Sequence, residues 1–333
     1  MNNICLNDIR EASNRISPFI KKTPIINSSL LNSWLGHQIE FKAECLQTIG
    51  AFKLRGALNT LLKAKEQGRL PQKVVASSSG NHAQAVAYAA KLLGIEATIF
   101  SPKNISAVKA AATRYYGATL DLSETRLEAD EKAKQAATQA DTIWLPPFNH
   151  PDIVAGQGTV MLETLAQTEG IDGVFAPCGG GGLLSGCLIA SRALSPTTQV
   201  CGVEPLLGND AAQSLRAGSI VRLAEQPKTL ADGAATLAIG DVTFEYLKQL
   251  DGFYEASEQQ IAYWTQWLQH LLKIHVEPTC AMSMVGVASW LSQQTQPKKV
   301  VVILSGGNID QHKMQQIWQQ DHLATVPTLN LAQ

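Results

Sequence analysis

The chain has 333 residues, 45% of them hydrophobic and 17% charged, an ordinary globular composition that excludes a disordered or fibrous protein and suggests one large or two medium domains. Its formal net charge is −1, and its 27 basic residues are scattered rather than massed, so there is no electrostatic footprint for nucleic acid or an anionic membrane. A small-molecule partner fits better. No apolar stretch approaches a membrane span, Val300 to Leu304 being the longest obvious run, and the start MNNICLNDIREA lacks a signal-peptide core, so a cytoplasmic protein is expected. The six cysteines show no Cys-x-x-Cys and no finger spacing with histidine, and the seven histidines are dispersed. Reduced, mostly buried thiols are expected.

In chain order, a helix-like N-terminal stretch leads to a Ser28-Ser29 cap and a short helix ending at Leu35, then a strand from Ile39 to Lys42. A Thr48-Ile49-Gly50-Ala51 break follows, and apolar residues recur at helical spacing from Phe52 to Ala64. A regular alternation comes next. Strands are expected at Val74–Ala76, Ala97–Phe100, Ala118–Leu122 and Ile143–Leu145, with helices at His82–Leu93, Ser106–Tyr116 and Glu124–Gln139 between them. Pro146-Pro147 interrupts the pattern, and a second series begins. It has a helix at Gly158–Gln167, a strand at Gly173–Ala176, a glycine loop, a helix at Leu183–Leu194 and a strand at Gln199–Val203. Helices at Glu258–Leu272 and Thr279–Ser292, a strand at Val300–Leu304 and a helix after Asp310 complete it. The βαβα order predicts two α/β units with open parallel sheets and a ligand cleft beyond the strands' carboxyl ends.

Lys53 stands where a loop enters a helix. Flanked by Phe52 and Leu54, its amine would be shielded from water and partly deprotonated, able to attack a carbonyl; taken alone, the stretch fits a solvated surface lysine better. Gly179-Gly180-Gly181-Gly182-Leu183, between a strand and a helix, suits phosphate bound by bare N–H groups at a helix N-terminus. A dinucleotide is the rival, but the G-x-G-x-x-G register fails, ending on Leu184 or Ser185. Ser77 to His82 caps a helix, and its hydroxyls and N–H groups serve a helix end or an anionic ligand equally. Ser305 follows a buried-type strand, where turn chemistry is a sufficient explanation. Glu204 and Asp210 flank a turn that is either a solvated acidic loop or a site for a hard cation.

Gly50-Ala51-Phe52-Lys53-Leu54-Arg55-Gly56-Ala57 resembles the Ser-Phe-Lys-x-Arg-Gly-Ala segment of the pyridoxal-phosphate enzymes of the tryptophan-synthase fold type, in their serine/threonine dehydratase and serine racemase branch. Ala51 replaces the usual serine. The resemblance covers essentially the whole chain. It implies a fold type II enzyme, with a small domain (residues 69–145) inserted in a large cofactor-binding domain (1–68 and 146–333), assembled as a homodimer. It implies Lys53 carrying pyridoxal 5′-phosphate as a Schiff base beside Phe52, with the phosphate on Gly179–Leu183, Asn81 on the cofactor's 3′ oxygen and Ser305 on the pyridine nitrogen. Ser78, Ser79, Asn81 and His82 would surround the amino-acid substrate, with Ser79 the opposite-face acid/base of the racemases. Glu204, the Gly208 carbonyl and Asp210 would hold Mg²⁺ or Mn²⁺. A neutral hydroxyl at the ring nitrogen makes a weaker electron sink, which favours expulsion of a β-substituent over transamination. The implied reaction is β-elimination from L-threonine or L-serine to a 2-oxo acid and ammonia. A serine racemase or a 3-hydroxyaspartate ammonia-lyase would use the same residues, and an NAD- or nucleotide-binding protein is the reading outside the family.

Overall fold

The computed structural model describes residues 3–329. The chain opens with α1 (Leu6–Ile16), whose Ile9, Ala12 and Ile16 form one buried stripe, and β1 (Ile25–Asn27). Next is α2 (Ser29–Leu35), capped by Ser28 accepting from Leu31 N–H and closed by Gly36 in the left-handed region. Then come β2 (Gln38–Lys42) and α3 (Lys53–Glu66).

The middle of the chain runs β3 (Lys73–Ser77), α4 (Asn81–Leu93), β4 (Glu96–Pro102), α5 (Ala107–Tyr115), β5 (Thr119–Ser123), α6 (Arg126–Ala136) and β6 (Thr142–Trp144). After α7 (Pro151–Leu165) come β7 (Gly173–Pro177), α8 (Gly182–Leu194), β8 (Gln199–Pro205), α9 (Asp210–Ala217), α10 (Asp241–Leu247) and β9 (Gly252–Ala256). The last elements are α11 (Glu258–Leu272), α12 (Pro278–Ala281), α13 (Ser283–Leu291), β10 (Lys299–Ile303) and α14 (Gln311–Ile317).

Two sheets result: six strands in the order β1-β2-β10-β7-β8-β9, and four in the order β5-β4-β3-β6. Every pairing is parallel except β1 with β2. Central strands such as β10, with Val300, Val301, Val302 and Ile303 all fully buried, are covered on both faces, which is why they read as continuous apolar runs. The α/β parallel-sheet expectation therefore holds.

Several boundaries differ from the sequence reading. Helix α7 starts at Pro151 rather than Gly158, with His150 as its N-cap and the proline at its first position, where a missing N–H costs nothing. The expected helix over Thr279–Ser292 is two helices, α12 and α13, meeting at Met282. β1, β9, α9 and α10 are additional.

Candidate active site

Lys53 is the first residue of α3. The loop before it is tied to the end of β10: Phe52 N–H donates to Ser305 O at 3.0 Å, and Ala51 bridges Gly306. Lys53 and Ser305 thus line the same cavity, of about 440 Å³. The Lys53 ammonium donates to Pro147 O at 2.7 Å and stands 5.2 Å from the centre of the Phe52 ring. Desolvation lowers its pKa to about 8, against the opposing pull of Glu277. A free amine is accordingly available close to neutral pH.

The end of β3 and the start of α4 form the second wall. Ser78 is buried, its N–H bound to Phe100 O at 3.0 Å and its Oγ accepting from Gly80 N–H at 3.3 Å; Ser79 is half-buried on the cavity surface. Asn81 donates to both Glu277 oxygens at 3.0 and 3.1 Å and accepts from Asn308 Nδ2 at 2.8 Å, which fixes its amide orientation. His82 donates from Nε2 to Leu145 O at 2.9 Å, because a carbonyl can only accept. Burial first, then Lys53 and Arg126, press its pKa to about 3, so it is neutral. Arg126 also lines the cavity and braces this loop, bonded to Asp130 at 3.0 Å and to Ser77 O at 3.1 Å.

The glycine loop forms the third wall. A Cβ on Gly180 would run into the Phe148 ring, one on Gly182 would lie 3.1 Å from Phe148 Cβ, and one on Gly179 3.1 Å from Gly233 O, while Gly181 has φ +90°. Packing and backbone conformation therefore each demand glycine here, beyond the bare N–H groups the sequence suggests. Helix α8 begins at Gly182 without a side-chain cap, and Gly179, Gly180, Gly181, Gly182 and Leu183 all line the Lys53 cavity. An uncapped N-terminus in a cradle of glycines fits a phosphate group.

Glu204, Gly208 and Asp210 lie elsewhere and do not line this cavity. Both carboxylates are buried, which rules out the solvated acidic loop. Glu204 accepts from Ala211 and Ala212 N–H at 3.2 and 2.6 Å, at the start of α9. Asp210 accepts from Thr236 Oγ1 at 3.1 Å, and its Oδ2 is buried without a hydrogen-bond partner among the described residues. Burial pushes Glu204 to about 9, with Asp210 adding to the rise, and Asp210 to about 7. Among the described residues no group of three or more His, Cys, Asp or Glu is placed to hold a metal ion.

Two residues at the main site, Lys109 and Phe148, carry no role in the sequence reading, and Glu277 enters it only within Val276-Glu277-Pro278-Thr279, a segment similar to one that the family places near its cofactor. Glu277, 2% exposed, has its pKa raised to about 7, chiefly by burial. Lys109 of α5 pairs with Asp232 at 2.7 Å, and Phe148 fills the glycine loop. A Val-Glu-Pro-Thr turn marks Glu277 in the sequence; Lys109 sits on an ordinary helix face and leaves no local signal.

A desolvated lysine amine and an uncapped, glycine-lined helix start share one cavity, an arrangement that suits a carbonyl cofactor bearing a phosphate. A family model described as pyridoxal-phosphate dependent enzyme matches residues 16–306, and the chain belongs to that family. The L-threo-3-hydroxyaspartate ammonia-lyase of Saccharomyces cerevisiae is 44% identical over 91% of this chain and 93% of its own. The serine racemase of Schizosaccharomyces pombe is 40% identical over 91% and 94%. The crystal structure of serine racemase from Dictyostelium discoideum superposes with a TM-score of 0.85 at 37% identity, covering 92% of this chain and 99% of that one. A crystal structure of a threonine deaminase does so with a TM-score of 0.86 at 41% identity, over the same shares of the two chains. The protein is therefore a fold type II pyridoxal-phosphate enzyme among elimination and racemisation relatives. No helix among the described residues is long and apolar enough to cross a membrane.

Proposed function

We propose that the protein is an ammonia-lyase that eliminates water from a 3-hydroxy amino acid, L-threonine or L-serine first, to give a 2-oxo acid and ammonia. The observation that carries this is the Lys53 amine, with a pKa of about 8, facing the Ser78–His82 loop and the Gly179–Gly182 cradle in one cavity. Bound pyridoxal phosphate supplies an electron sink for negative charge at the substrate's Cα. Lys53 holds the cofactor and then takes the Cα proton. Gly179 to Leu183 bind the phosphate, Asn81 the ring oxygen and Ser305 the ring nitrogen. Ser78, Ser79, Asn81 and neutral His82 receive the substrate carboxylate at the start of α4. Residues 69–145 act as an inserted small domain, since the four-stranded sheet takes all its strands from them. Glu204, the Gly208 carbonyl and Asp210 hold Mg²⁺ or Mn²⁺, a reading supported by the unpartnered Asp210 Oδ2. The protein acts as a homodimer, which sedimentation velocity tests directly.

A 3-hydroxyaspartate substrate is the second reading. Lys134 and Arg222 also line the cavity and join no ion pair among the described residues, leaving two cations for a second carboxylate. The test incubates the enzyme separately with L-serine, L-threonine and L-threo-3-hydroxyaspartate, measuring 2-oxo acid by coupled reduction and D-isomer by chiral chromatography. With L-serine or L-threonine, 2-oxo acid should form faster than D-isomer, and Ser79→Ala should remove racemisation while sparing more of the elimination. D-serine accumulating faster than pyruvate makes the protein a racemase. Turnover confined to 3-hydroxyaspartate selects the second reading.

A further inference from the structure

The helix that presents Lys53 starts badly by local rules. Its N-cap, Phe52, offers no side-chain hydrogen bond, its first turn contains no acidic residue, and the third position is Arg55, a cation where the helix dipole disfavours one. Arg55 is 1% exposed, and all five of its guanidinium donors are spent. Nε and Nη2 form a fork on Glu44 at 2.8 and 2.7 Å, Nη1 and Nη2 reach Glu163 at 3.2 Å each, and Nη1 reaches Thr159 at 3.3 Å. Glu163 in turn accepts from Lys42, so two cations and two carboxylates balance behind the helix. A buried ion network of this kind is weak evidence for stability, because apolar residues of similar volume hold a fold as well or better; what it fixes is geometry. Arg55 follows Lys53 by two residues, which places them on opposite sides of the helix: one faces the cleft, the other the network. The backbone is seated there as closely as it can be, since a Cβ on Gly156 of α7 would lie 2.7 Å from Arg55 O.

We propose that Arg55, locked by Glu44 and Glu163, is the positioning residue for Lys53, setting the line along which the amine reaches the cofactor and the substrate's Cα. This rests on the cofactor-bearing role of Lys53 proposed above. The network holds the first turn of α3 so that the Lys53 ammonium stands 5.2 Å from the centre of the Phe52 ring and meets Pro147 O at 2.7 Å. Released from that seat, the amine solvates and loses its depressed pKa. Lysine at position 55 would keep the charge but not the planar fork that meets both carboxylates.

The test compares wild type, Arg55→Lys and the charge-balanced double variant Arg55→Met/Glu44→Gln. In apoprotein, the pH dependence of Lys53 acetylation by acetic anhydride is followed by peptide mass spectrometry. In holoenzyme, kcat and KM are measured, with borohydride reduction locating the cofactor on the chain. The wild-type midpoint is expected near 8, and in both variants it should move by about a unit or more towards the ordinary 10.5. kcat should fall at least about tenfold with KM within about twofold, since small misplacements of a reacting group are expensive in rate. The double variant should retain cooperative thermal unfolding. Folded variants whose midpoint stays within about 0.3 of the wild-type value and whose kcat stays within about twofold overturn the inference. So does Arg55→Lys losing thermal stability with no shift in midpoint, which makes the network structural only. Wild-type cofactor trapped on a residue other than Lys53 removes the proposed function, and this inference with it.

Discussion

Desolvation lowers the pKa of both Lys42 and Lys53, the first fully buried and the second half-buried at the cavity. Their hydrogen bonding differs as well. Lys42 is fully buried and all three of its donors are filled, by Glu163 at 2.5 Å, Thr23 O at 2.7 Å and Gln167 at 2.9 Å. Among the described residues Lys53 has a single acceptor, Pro147 O, and it otherwise faces the cavity. Burial alone thus does not mark a reactive amine; burial with unspent donors beside open space does. The two carboxylates at the start of α9 teach the same lesson. Glu204 is occupied by backbone N–H groups, whereas Asp210 keeps a buried oxygen unpartnered.

Replacing the two lysines in turn tests this contrast most harshly. Lys53→Ala should lower turnover by at least about 10³-fold, the order expected for loss of a positioned base, with little change in melting temperature. Lys42→Met should act mainly on stability, costing about 3 kcal/mol by leaving part of a buried ion network uncompensated, and should lower turnover of the folded fraction far less than Lys53→Ala, because Arg55 keeps both of its carboxylates. Equal losses of stability in both would erase the distinction.

A smaller effect is expected at the second pair. Glu204 and Asp210 have folded pKa values, about 9 and about 7, above those of the unfolded chain, so between about pH 5 and 8 the folded state keeps protons that the unfolded state has released. Stability from these groups therefore falls as pH rises through that window. Mg²⁺ or Mn²⁺ should relieve the loss, raising the melting temperature by a few degrees at about pH 8 and much less at about pH 5, with Glu204→Gln abolishing the response. A melting curve unmoved by cation or chelator at the higher pH would reduce the pair to a helix-start contact.

Much of this arrangement is legible in the sequence because the cleft is built from loops at strand ends, where glycine, serine and asparagine concentrate. Gly179–Leu183 stands out on that ground, whereas Lys53, the Ser78–His82 segment and Ser305 are singled out by resemblance to the family, the residues alone fitting a surface lysine, a helix cap and a turn; the structure gathers all of them around one cavity. The central strands announce themselves by unbroken apolar runs. The short edge strands do not: β1 has three residues, and most of β9 is only half-buried. The sequence reading starts helix α7 late because Pro146-Pro147 reads as a break, although Pro151 and Asp152 are themselves start signals. Lys109 and Phe148 come from separate parts of the chain and meet the site only through tertiary packing. No periodicity or spacing brings them together.

The central claim is that Lys53, and no other lysine, carries the cofactor, and the visible absorption of the purified protein tests it most directly. The wild-type protein and Lys42→Met should both be yellow, with a band that Lys53→Ala loses. A colourless wild-type protein that binds NAD, or a Lys53→Ala variant that keeps the band, would contradict the account.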